Sequence, residues 1–204
     1  HADEVYVTGS FNNWQGQSHP LTRNENGIWS AIIPEAKEGD EYKYHLICQG
    51  REIMRNDPYA RNVTSSVGNS IISRPPQKRP TAFKAPDLNN MVIYELHIGT
   101  FGHGYADNQE PATFKTSIRY LDDLKALGVN AIEIMPVHEF PGGISWGYNP
   151  AYLFSVESNY GTIQDFYDFI YEAHQRGIAV ILDVVYNHFG PSDLDIWQFD
   201  GWHE

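Results

Sequence analysis

The chain has 204 residues, 41% of them hydrophobic and 14% aromatic, with a net charge of −12. That is enough for one ordinary core plus a small second one, or for part of something larger. The acids are scattered rather than blocked, which disfavours nucleic acid as a partner and leaves a neutral substrate unaffected. The single cysteine, Cys48, excludes a disulfide within the chain, and no apolar run approaches a membrane span, so no membrane partner is expected.

The chain opens His1-Ala2-Asp3 rather than with Met, so we expect the native start to have been removed; a cytoplasmic location is the working expectation. Four short runs rich in β-branched and aromatic residues follow, at 4–9 (EVYVTG), 28–33 (IWSAII), 41–48 (EYKYHLIC) and 69–73 (NSIIS), separated by Asn, Gly and Pro. They predict a small β-sandwich module over residues 1–73, with Trp29 in its core. The stretch 74–86 (RPPQKRPTAFKAP) has four prolines, four basic residues and no apolar period, and predicts an extended linker over 74–90.

From Met91 the period changes. MVIYELHI (91–98) reads as a strand. Phe114, Ile118, Leu121 and Leu124 then recur at helical spacing after a Thr113 cap, and the pattern stops at Gly128. VNAIEIM (129–135) is a second strand, followed by a long aromatic loop at 136–161. A second helix places Ile163, Phe166, Ile170 and Ala173 on one face, opened by Thr162-x-x-Asp165 and closed by Gly177, and IAVILDVV (178–185) is a third strand. Apolar strands alternating with amphipathic helices imply an α/β parallel sheet with right-handed crossovers, open or closed. Either way, ligands bind beyond the C-terminal strand ends, where Asn187 and His188 lie.

DVVYNH (183–188) resembles the first signature of the α-amylase superfamily, glycoside hydrolase family 13. VIYELHIGTF (92–101), GVNAIEIMPV (128–137) and WGYNPAYLFSVESNYGT (146–162) resemble, in order, the family's first barrel strand, its second, and the aromatic stretch before its third. Residues 91–204 would then be the first three βα units of a (β/α)8 barrel, in a protein that acts on α-linked glucans. VYVTGSFNNW (5–14), GIWSAIIP and YKYHL resemble carbohydrate-binding family 48, whose modules precede the barrel in glucan branching and debranching enzymes and in trehalohydrolases. The same module type occurs in a regulatory kinase subunit that binds glycogen and catalyses nothing, so a non-catalytic binding protein is the alternative from another class.

The resemblance implies that His188 hydrogen-bonds the sugar at the cleavage subsite and that Tyr148 is the aromatic platform beneath it, with Trp146 in the same pocket. It implies that Asp183 anchors neighbouring side chains, and that Asn187 is structural, or a calcium ligand as in true α-amylases; no other cofactor is expected. In the module, Trp14 and Lys43 fall on glucan-contacting positions, but the relatives' second tryptophan is replaced by Arg51 and Glu52, so weak glucan binding is expected.

The family's nucleophilic Asp, acid Glu and third Asp follow strands four, five and seven. Three strand patterns are present where a whole barrel needs eight and about 250 residues. We therefore expect an N-terminal fragment whose partners are α-glucan and the remainder of its own chain, lacking its catalytic carboxylates and inactive alone. Asp193, Asp195 and Asp200 are not assigned to those roles. A branching enzyme is the expected activity, with trehalohydrolase or amylase-type hydrolysis as the alternative.

Overall fold

Val5 and Val7 point inward from a strand whose alternate residues face outward, and this pattern sets the first sheet in the computed structural model. The structure describes residues 1–102, 110–187, 189–190 and 198–201. Strand β1 (Glu4–Gly9) pairs antiparallel with the long central strand β4 (Glu41–Cys48), from Glu4 opposite Ile47 to Gly9 opposite Tyr42. Strand β5 (Arg51–Arg55) returns along the other edge of β4, and β6 (Ser70–Ile71) pairs with the start of that edge. A two-stranded ribbon, β2 (Thr22–Arg23) with β3 (Trp29–Ser30), forms the second sheet. Trp29 and Leu21 pack there on Ala2, Val5 and Leu46.

One expected strand of the module is corrected and one unexpected strand is added. The run at 28–33 forms a strand only at Trp29–Ser30, and Ile32 is exposed. Arg51 and Glu52 lie in β5, a strand absent from the four expected runs. Gln49 and Gly50, both at positive φ, make a two-residue hairpin turn of the kind that matches strand twist, and REIMR hid its strand by lacking polar–apolar alternation.

The second half is built on parallel strands β7 (Ile93–Leu96), β8 (Ala131–Ile134) and β9 (Ala179–Leu182), in that order and in register, each shorter than expected. The helix expected from Phe114 is broken into α1 (Phe114–Ser117), a 3-10 turn at 118–120 and α2 (Leu121–Ala126). Thr113 caps it as expected, but the Thr116 hydroxyl also bonds back to the Thr113 carbonyl at 3.1 Å, a local bond that competes with the helical ladder. The apolar face survives the break: Phe114, Leu121 and Leu124 all enter the main core. Helix α3 (Ile163–Gln175) keeps its reciprocal cap, with the Thr162 hydroxyl accepting from Asp165 N and the Asp165 carboxylate from Thr162 N, and Gly177 ends it at φ +71. Phe169, absent from the expected face, is fully buried beside Phe166 and Ala173.

The linker is extended but not free. Arg79 pairs with Asp168 at 2.7 Å and sits 4.0 Å from the Tyr171 ring centroid, while Phe83 stacks on His174, so the strap follows one side of α3. The module also docks on the parallel sheet's loops. Buried Asn56 donates to the Tyr152 hydroxyl at 2.6 Å, Asn62 accepts from Ile163 N at the start of α3, and Ala60 and Val63 pack with Ala151 and Tyr152. No helix among the described residues is long and apolar enough to cross a membrane.

Candidate sugar site at the parallel strand ends

Register places Glu95, Glu133 and Ile181 side by side on β7, β8 and β9, on the sheet face opposite core residues Ile132 and Ile134. Asp183 continues that face one residue beyond β9, with its backbone N–H on the Ile134 carbonyl at 3.0 Å. The loop after β8 folds back over these ends. Its Tyr148 hydroxyl donates to Asp183 Oδ2 at 2.7 Å. That bond, with the negative charges of Asp183, Glu95 and Glu133 nearby, pushes the phenol up to about 12, so it remains a donor at neutral pH. The bond also fixes how the ring is presented, with Tyr148 37% exposed.

Trp146 is 72% exposed and, with Ile144, Ser145, His97 and Thr100, lines an open groove of about 500 Å³. The structure thus brings Tyr148 and Asp183 together, while Trp146, on the same loop, lines a groove to which neither contributes. Asn187 is exposed beyond β9. His188, Asp193 and Asp195 lie outside the described residues. Among the described residues, no group of three or more His, Cys, Asp or Glu side chains is arranged to hold a metal ion.

Beneath the loop lies a buried pair that the sequence reading passed over. Glu139 and Glu157 are 1% and 0% exposed. Each is held by backbone next to the other: Glu139 accepts from Ser158 N at 2.7 Å, and Glu157 accepts from Phe140 N at 3.3 Å and Asn159 N at 3.2 Å. Burial first, then the Glu157 charge, pushes the Glu139 carboxyl up to about 8, and burial raises Glu157 as well. His97 is the other omission; it stands one residue past β7, where the strand-end rule points.

In the module, Trp14 is 40% exposed at positive φ, after the 3-10 turn at Ser10–Asn12, and Lys43 lies half-buried in β4. Arg51 donates to the Gly201 carbonyl, and Glu52 accepts from His45 at 3.2 Å, so both side chains that replace the second tryptophan have partners within the chain.

Residues 96–197, half of the chain, match the alpha amylase catalytic domain. The chain belongs to the α-amylase family. Residues 1–60 match carbohydrate-binding module 48, the isoamylase N-terminal domain. The chain is 39% identical to the 1,4-alpha-glucan branching enzyme GlgB of Halothermothrix orenii over 98% of its length and 33% of that enzyme's. A Salmonella typhimurium structure described as an alpha amylase superposes with a TM-score of 0.80 at 32% identity, over 97% of this chain and 32% of that one. The catalytic module of the pneumococcal glycogen-degrading virulence factor SpuA gives 0.75 at 28% identity, over 95% and 35%. The chain thus spans about a third of the length of these α-amylase family relatives.

Proposed function

We propose that this chain forms the sugar-positioning part of an enzyme that rearranges α-1,4-glucan by the retaining mechanism, as a 1,4-α-glucan branching enzyme. The observation that carries the reading is the Tyr148 ring, fixed by its hydroxyl on Asp183 at the strand ends. A flat ring so held covers the apolar face of a pyranose and excludes water from it, while the polar rim meets hydroxyls. Kinship with the Halothermothrix orenii branching enzyme supports the choice of reaction. His188 hydrogen-bonds the same sugar in this reading.

Retaining cleavage needs one carboxylate as nucleophile and another as acid and base. Asp183 is engaged by Tyr148, and Glu139 and Glu157 are buried under the loop, so none of these is offered as either. In this reading both groups come from outside the 204 residues, and the chain alone leaves amylose intact. The likeness to a glycogen-degrading structure favours one second reading, hydrolysis.

The test is to incubate amylose with the full-length gene product that carries these residues, following iodine colour and reducing ends together. Branching lowers the colour with few new ends, whereas abundant free sugar supports the hydrolase. Trehalose released from a trehalosyl-ended substrate identifies a trehalohydrolase. No change in either signal, with glycogen still co-sedimenting, supports the non-catalytic binding protein. For the module, Trp14→Ala should lower an already weak glycogen co-sedimentation by roughly fivefold, since one stacked ring contributes about 1 kcal/mol; unchanged binding removes Trp14 from the site.

A further inference from the structure

The loop segment 144–149 carries Ile144, Trp146 and Tyr148 over the strand ends, and its backbone is tied down at three points. Tyr148 bonds Asp183 at one end. In the middle, Gly147 sits at φ +84 so close to Pro136 that a Cβ there would fall 2.1 Å from the Pro136 carbonyl oxygen. At the near end stands His97. Its Nδ1 accepts from Thr100 N at 3.2 Å, which places the imidazole proton on Nε2. That N–H points at the Ser145 carbonyl, 2.9 Å away, with the hydroxyl of buried Tyr160 at 3.1 Å. Gly99 closes on the other side: a Cβ there would meet the Tyr160 ring at 2.9 Å and the imidazole at 3.1 Å, so the ring has little room to turn. Ser145 passes the constraint on, since its hydroxyl donates to Asn149 at 2.7 Å and accepts from Gly147 N at 3.0 Å.

We propose that His97 is a positioning residue that couples the core, through Tyr160, to the Trp146–Tyr148 arm and so sets the arm's height above the sugar. This rests on the glucan reading for its substrate, though not for its geometry. Both ring nitrogens are committed within the chain, so His97 acts on the sugar through the arm and does not exchange a proton with it. The side chain at this strand end therefore tunes affinity, and turnover follows only through the fit of the sugar.

The experiment uses the full-length gene product as wild type, His97→Ala and His97→Gln. The Gln amide can reproduce the donor at the Nε2 position and so should rescue. Hydrogen exchange at 145–149 is read against exchange in α3, and KM and kcat are measured on amylose. In His97→Ala, exchange at 145–149 should rise about tenfold, the equivalent of one lost hydrogen bond, with α3 unchanged. KM should rise by a similar factor with kcat within about twofold, and His97→Gln should restore both. Unchanged exchange at 145–149, or equal loosening of α3, overturns the proposal. If exchange responds as expected but the wild type neither binds nor turns over α-glucan, His97 keeps its positioning role and the glucan reading fails.

Discussion

Phe114→Ala should destabilise the chain by about 4 kcal/mol, the cost of an aromatic deletion whose cavity only partly collapses. Phe114 is fully buried, and its ring lies 5.1 Å from that of Phe166, 6.1 Å from Tyr160 and 6.4 Å from Phe169. It therefore joins α1, α3 and the base of the aromatic loop in one contact set. A urea midpoint, read with an unchanged slope, checks this. Leu127→Ala is the control: Leu127 is 74% exposed at the end of α2 and should cost less than about 0.5 kcal/mol. If the two variants melt alike, the core has been misplaced.

The second large effect is a loss of stability as pH rises. Glu139 has its ordinary value at 4.5 in the unfolded chain and is pushed up to about 8 in the fold by burial and by Glu157. Below the unfolded value, both states carry the proton and its contribution is complete. Between the two values the fold holds a proton that the unfolded chain has released, so stability falls continuously, and above about 8 the fall ends. The groups facing Glu139 are the Glu157 carboxylate, the Ser158 N–H and hydroxyl, and the Ser66 N–H from the module. The loss through this window should be on the order of 4 kcal/mol. Glu139→Gln should flatten that part of the stability profile and leave the variant more stable than wild type near pH 9. Equal slopes for the two proteins would show that the proton is not held there.

The parallel half was legible because its signals are local. The Thr113 and Thr162 caps, the glycine stops at 128 and 177, and the apolar strands each state their element within a few residues. What escaped depends on pairing across the chain. β5 exists because a two-residue turn lays REIMR against β4, and its own pattern does not alternate. The helix break at 118–120 leaves the apolar face intact, so apolar periodicity does not register it. The same division holds at the site. Tyr148 and Asp183 are 35 residues apart in sequence, and motif resemblance singled out both, while the bond between them is a product of the fold. Glu139 lies outside the quoted stretches and Glu157 inside one of them, but their pairing comes from two backbone segments crossing, so only the folded chain reveals it.

The most direct measurement is a crystal structure of the full-length gene product soaked with maltoheptaose. A glucose ring should lie flat against Tyr148, at about 4 Å, with the Tyr148–Asp183 bond intact. Sugar bound only elsewhere, with the Tyr148 face open to solvent, would contradict it.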